Sequence, residues 1–361
     1  MIILYYNTKG LNIINNNENI LYPFFNSNFI NLYDNNLFFN TLLDFNSNYE
    51  IDGLELFQFT KNYNIIKKPL DFPYLKSFIH KNFSYYEFPK YYSPTFDYEN
   101  CEHKYFLGVY QTVKNIRTGE DSPIINFVVF LSDKNTGEII WYWEMDEYFI
   151  KNNLSLNYDR TSNTPIIHSV SRIGKNNLEL NENDIMLIIS QINQILFIEP
   201  FTGIINKTIN ISDIKADNIN SFTDAHLIPE GLPGEGNLLF YSNSNNLLNA
   251  KIIEYDVTNE KIIFEFENEK LNNNDIGGSV QKLINGNYFI FNYENNILLE
   301  VDSDKNIIFE FNIDENKDLD FKNDLNLKQQ KSQIAIKIPK EWASNFIKNR
   351  SLIELAIKNY K

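Results

Sequence analysis

This sequence is poor in the residues that build metal centres, disulfide frameworks and anion clamps. Its 361 residues include one cysteine, Cys101. A lone cysteine excludes an internal disulfide framework and a cysteine-rich zinc site, and a small half-buried residue explains it. The four histidines, His80, His103, His168 and His226, show no His-x-x-x-His spacing, so no metal is expected. Surface positions in an aromatic insertion suffice for His80 and His103. Only four arginines occur (Arg117, Arg160, Arg172 and Arg350), which leaves few bidentate grips for an anion.

Positive charge is scarce as a whole. Lys and Arg number 32 against 47 Asp and Glu, a formal net charge of −15. Such a surface repels phosphate backbones, so nucleic acid is not an expected partner. No run of 18 apolar residues appears, and no basic region precedes an apolar core at MIILYYNTKG. A soluble chain in a reducing, cytoplasmic compartment is therefore expected, with no membrane span. Phosphate-loop and dinucleotide patterns are missing too; GLPGEG at 231–236 is interrupted by Pro233. The acidic loop at 302–305 lacks the calcium-loop rhythm and reads as an Asp/Asn turn. No cofactor is expected.

What is abundant is β-forming and aromatic. Hydrophobic residues make up 43%, with 29 Phe and 22 Tyr, enough for a sizeable core. The organising stretch is Gly277 to Phe311, in which short apolar runs alternate with Asn/Asp/Gly turns; Asn285-Gly286 is the sharpest hairpin signal. Its last strand, with the Ile-Ile pair of Asn306–Phe309, recurs along the chain at Asn19–Tyr22, Asn64–Lys67, Glu138–Trp141, Gly203–Asn206 and Lys261–Phe264. Another strand precedes each: Gly10–Ile14, Gly53–Phe59, Phe127–Leu131, Ile195–Glu199, Ala250–Tyr255 and Ile297–Val301. The aligned isoleucines, Ile20, Ile65, Ile139, Ile204, Ile262 and Ile307, lie 45, 74, 65, 58 and 45 residues apart. The short gap suits a four-stranded blade, and the longer ones hold insertions. The reading is all-β, a six-bladed β-propeller over 1–339, its first blade completed by 333–338. Residues 68–100, with Pro69, Pro73, Pro89 and Pro94, read as an aromatic loop across a rim. Over 340–361, Trp342, Phe346, Ile353 and Ile357 recur at helical spacing and predict a short amphipathic helix, packed on the ring or docking a partner.

Five segments then carry a resemblance: IIHSV at 166–170, FTGII at 201–205, FTDAH at 222–226, GGSVQKLINGN at 277–287 and QIAIKIP at 333–339. In order and spacing they resemble the arylsulfotransferase propellers, in particular the shorter, fungal-type branch, over residues 160–342. The resemblance implies an axial pocket whose histidine takes a sulfuryl group from an aryl sulfate and passes it to a phenol, with no nucleotide donor. That chemistry needs a neutral imidazole and donors for the sulfuryl oxygens. The sequence departs from the family pattern: Ile166 stands where the motif has His, His168 where it has Asn, Thr223 in place of the second His, and Ile334 in place of Arg.

The candidate residues follow. His168 and His226 are the candidate nucleophiles or acid/base groups, with Asp224 orienting the His226 imidazole. Thr223, Arg172 and Gln281 are the candidate substrate-binding groups. Each has a plainer reading: His168 as a hydrogen-bonded inner-strand histidine, Asp224 as a residue that fixes a turn or caps backbone donors. Two functions stay open, an arylsulfotransferase-like enzyme acting on phenolic compounds and a non-catalytic propeller that binds a ligand or a protein on one rim.

Overall fold

The computed structural model describes the strand backbones below together with the side chains of 127–131, 139–154, most of 167–313, Ala335 and Lys337. The strands form six antiparallel four-stranded sheets. Sheet I holds β1 (Ile2–Asn7), β2 (Gly10–Asn15) and β3 (Glu18–Tyr22). Sheet II holds β4 (Ile30–Tyr33), β5 (Asn36–Thr41), β6 (Leu54–Phe59) and β7 (Ile65–Leu70). Sheet III holds β8 (Ser84–Tyr86), β9 (Tyr105–Lys114), β10 (Ile124–Asp133) and β11 (Ile139–Glu144), and helix α1 (Met145–Lys151) follows it. Sheet IV holds β12 (Ile167–Arg172), β13 (Ile185–Ile189), β14 (Gln194–Ile198) and β15 (Ile205–Asn210). Sheet V holds β16 (Ile219–Leu227), β17 (Leu238–Ser244), β18 (Lys251–Asp256) and β19 (Lys261–Glu267). Sheet VI holds β20 (Gly278–Lys282), β21 (Tyr288–Asn292), β22 (Ile297–Val301) and β23 (Ile307–Asn312). The last strand, β24 (Ala335–Ile338), returns to sheet I and pairs antiparallel with β1.

Every sheet but the first is a simple up-and-down meander, and the repeated Ile-Ile runs fall on or beside its last strand. The repeat extends to an irregularity. In sheets III to VI the ladder between the third and fourth strands slips at one place: Leu131/Ser132, Phe197/Ile198, Glu254/Tyr255 and Glu300/Val301. A bulge there sharpens the twist of the outer strand.

Alternation of side chains explains how the sheets stack. In β13, Ile185, Leu187 and Ile189 pack with Val129, Leu131 and Trp141 of sheet III, while Met186 and Ile188 pack with Leu238 and Phe240 of sheet V. Leu239 and Tyr241 turn to Tyr288 and Ile290 of sheet VI, and Phe289 and Phe291 turn to Ala335 of sheet I. Each middle strand therefore has both faces covered, which is why IMLII, YFIFN and ILLEV are almost continuously apolar and buried throughout. The outer strand β19 instead alternates, with Ile263 half exposed and Phe264 and Phe266 buried. Sheets III, IV, V, VI and I thus pack face to face in chain order, the arrangement of a β-propeller.

Two stretches differ from expectation. The segment read as a loop over 68–100 contains the end of β7 and all of β8, which is only three residues long and carries no alternation to read. Pro69 lies in β7, the last strand of sheet II, where its missing N–H is tolerated at an edge. Helix α1 was not expected; seven residues are too few for a helical period. The helix expected at 340–361 lies outside the described residues.

Candidate functional site

The candidate residues stand on the first strands of sheets IV, V and VI, which line up beside one another and beside β24. Such inner strands have one ladder partner each, so half of their backbone N–H and C=O groups must be satisfied by something other than their own sheet. That requirement shapes the site.

Three ladder slips lie on these strands, and two of them fall at candidate residues. Ile167 opposes Ile189 and Ser169 opposes Ile188, so His168 is the extra residue of a bulge in β12. One sheet on, Phe222 opposes Ser242 and Asp224 opposes Tyr241, so Thr223 is the extra residue in β16. The two bulges occupy the same place relative to the following sheet positions. The side chains of His168 and Thr223 lie outside the described residues.

Beyond the bulges the strands alternate regularly. Val170 packs toward sheet III, Ala225 toward sheet IV and Val280 toward sheet V. Polar neighbours therefore face the next sheet in turn. Asp224 and His226 share a face of β16 that looks toward sheet VI, and both are buried, 1% and 3% exposed. The Asp224 carboxylate accepts the Val280 N–H of β20 at 2.9 Å. Gln281, 1% exposed, looks on toward sheet I. Its Nε2 donates to the Lys337 carbonyl at 2.9 Å and its Oε1 accepts the Lys337 N–H at 2.7 Å. One amide thus imitates a strand partner for β24. Arg172 shares the face of Val170, toward sheet III, so the structure does not place it with Asp224 and His226.

The strongest polar chemistry was not anticipated from the sequence. Glu254, on β18, accepts from Lys282 Nζ at 2.9 Å, from the Tyr288 hydroxyl at 2.7 Å and from Asn237 Nδ2 at 2.7 Å. The Lys282 ammonium lies 3.7 Å from the centre of the Tyr288 ring, which stacks on Phe264. Glu300, on β22, repeats the relation one sheet on: it accepts from Lys337 Nζ, from Asn287 Nδ2 at 2.7 Å and from Asn285 Nδ2 at 3.2 Å. Burial pushes the Lys282 ammonium below the usual lysine range, offset in part by Glu254. Burial pushes Glu300 up, but Lys337 and the two asparagines outweigh it and hold the carboxyl below its ordinary value. Burial and the Glu254 charge raise the Tyr288 phenol, so it stays a donor. The signal was present: a glutamate inside the apolar runs KIIEYD and ILLEV, and a lysine at the end of the next module's first strand.

Among the described residues no group of three or more His, Cys, Asp or Glu is placed to hold a metal ion, and no helix is long and apolar enough to cross a membrane.

No sequence family and no curated protein matches this chain. Among solved structures, a protein of unknown function from Bacteroides caccae is similar at 11% identity over 86% of this chain and 93% of that one, with a TM-score of 0.47. A chain of a nidogen–laminin complex is similar at 7% identity over 87% and 94%, TM-score 0.45. Virginiamycin B lyase from Staphylococcus aureus is similar at 12% identity over 86% and 80%, TM-score 0.38. Likeness at this level carries no functional inference, and the propeller architecture stands on the strand order and the stacking of the sheets themselves.

Proposed function

We propose that this chain is a six-bladed β-propeller, closed into one ring over residues 1–339 by the pairing of β24 with β1, and that it acts as a binding scaffold and not as a sulfuryl transferase. The observation that carries this reading is the engagement of Gln281. A transferase hub would turn such an amide to its substrate. Here it grips both backbone groups of Lys337. His226 is 3% exposed on the covered face it shares with Asp224, whereas a nucleophile must come within ~3.5 Å of the sulfur. The ligand or protein would then dock on a rim. A net charge of −15 favours a basic partner, bound more weakly as salt rises.

The transferase reading has one observation of its own. Matching bulges fall at His168 and Thr223 on neighbouring inner strands, and bulges gather beside active sites. One assay separates the two. With a chromogenic aryl sulfate and a phenol, the scaffold reading expects no release of the aryl group above the buffer rate. Release that is lost in His168→Ala or His226→Ala would establish the transferase instead.

A further inference from the structure

The strand that completes sheet I is held unlike the other inner strands with described side chains. β24 is four residues long, and the strand it pairs with, β1, is the first in the chain. Its described apolar anchor is small: Ala335, buried beside Phe289, Phe291 and Leu298. Its other described anchors are polar, and all come from sheet VI. Gln281 grips the Lys337 peptide, and Glu300 holds the Lys337 ammonium, which lies 5.6 Å and 5.3 Å from the ring centres of Phe289 and Phe309. The preceding inner strand, β20, is fixed by shape instead. Val280 is buried, and a Cβ on Gly278 would come within 2.4 Å of the Phe291 carbonyl and 2.3 Å of the Tyr241 ring. Backbone approach that close leaves no room for β20 to slide.

We propose that β24 is a latch that opens as a unit while sheets IV to VI stay folded, and that Glu300 is the group that sets how often it opens. Toward sheet VI the described hold on β24 is one small apolar group and an ion pair that water reaches. Such a contact opens at lower cost than the shape-locked β20, and the polar anchors then decide its population. An open latch leaves the inner edge of β1 and both edges of β24 unpaired, which is the state in which the ring can accept a strand of another chain. The described carboxylate at this seam is Glu300, which meets Lys337; its counterpart Glu254 is engaged by Lys282 one sheet away.

Amide hydrogen exchange on the full chain tests this. Glu300→Gln, which keeps the shape, and Glu300→Lys, which reverses the charge, should speed exchange at 335–338 and at residues 2–5 by about tenfold or more. Exchange at 185–189 and 238–242 should not change. The charge swap Glu300→Lys with Lys337→Glu should bring β24 back to within about threefold of the wild type. Equal acceleration in every sheet would overturn the proposal, because β24 would then open only with the whole fold. Unchanged exchange at β24, or a swap that restores nothing, would overturn it as well. None of these outcomes alters the aryl sulfate result.

Discussion

The seams on either side of sheet VI use the same pair of residues and reach different balances. Between sheets V and VI, Glu254 and Lys282 have side chains 2% and 7% exposed, and the pair is roofed by Tyr288 and Phe264. Between sheets VI and I, Glu300 and Lys337 are 7% and 16% exposed. In the first seam desolvation wins on the lysine, whose ammonium is pushed below its ordinary range. In the second the ion pair wins on the glutamate, which is held ionised. The seams differ in solvent access and in the groups that meet each charge. Glu300 has Lys337 and two asparagine amides, whereas the Lys282 ammonium has Glu254 set against its burial. The drier seam joins two sheets of consecutive strands, and the wetter one joins sheet VI to β24, the strand of sheet I that is distant in sequence from the other three.

Removing one partner should show the contrast most strongly. Glu254→Ala leaves Lys282 charged in an apolar seam and takes the acceptor from Tyr288 and Asn237, an expected loss of about 3–5 kcal/mol in urea unfolding. Glu300→Ala should cost less, about 2 kcal/mol, because Lys337 can reach water. Equal losses would erase the distinction between the seams. The comparison sharpens further with Glu254→Leu and Lys282→Met together. Burying two apolar groups where a desolvated pair stood should be neutral, or stabilising by about 1–4 kcal/mol. A large loss would mean that the hydrogen bonds to Tyr288 and Asn237, and not the charge pair, hold that seam.

These two seams also divide what could be read from the sequence from what could not. The outer strands were legible because Ile262-Ile263 and Ile307-Ile308 recur with a turn before them, and a short-period signal survives in a strand whose faces differ. Strand β8 was not legible: Ser84-Tyr85-Tyr86 gains its identity from the ladder with Leu107, Gly108 and Val109 and carries no pattern of its own. Asp224 and Gln281 were legible as polar residues on inner strands. The partners described for them are backbone groups of Val280 and Lys337, 56 residues away in each case, and no side-chain pattern marks a backbone partner. The bulges at His168 and Thr223 escape notice for the same reason, since a ladder slip is a property of two strands. Glu254 and Glu300 left a trace, a charge inside a buried run, that a search for catalytic motifs passes over.

Gly234 offers a subtler break of the drier seam. It sits at φ +82°, and a Cβ there would lie 2.3 Å from Glu254 Oε1 and 3.2 Å from Ile228 Cδ1. Gly234→Ala must strain the backbone and push the carboxylate from Asn237, an expected cost of about 1–2 kcal/mol. The same change at Gly203, also at positive φ but with open space around it, should cost only the backbone share, about 1 kcal/mol. The difference between the two variants is the part that belongs to Glu254.

The smallest effect is in the pH dependence, and it falls in a different pH window for each seam. Glu300 is depressed in the folded chain, so its contribution is full above the ordinary carboxylate value and is lost as pH falls through the lowered one. Lys282 is depressed as well, so the sense is the same and only the pH window differs. Between its lowered value and the ordinary 10.5, the unfolded chain binds the extra proton, so this group makes stability rise with pH. Tyr288 and Tyr241, both raised, act against that rise above pH ~10, so the lysine is isolated only by difference. Subtracting the stability profile of Lys282→Met from that of the wild type should leave a slope that climbs on the alkaline side. Subtracting that of Glu300→Gln should leave one that climbs with pH on the acid side. A flat alkaline difference would place Lys282 in water and remove the dry seam on which the contrast depends.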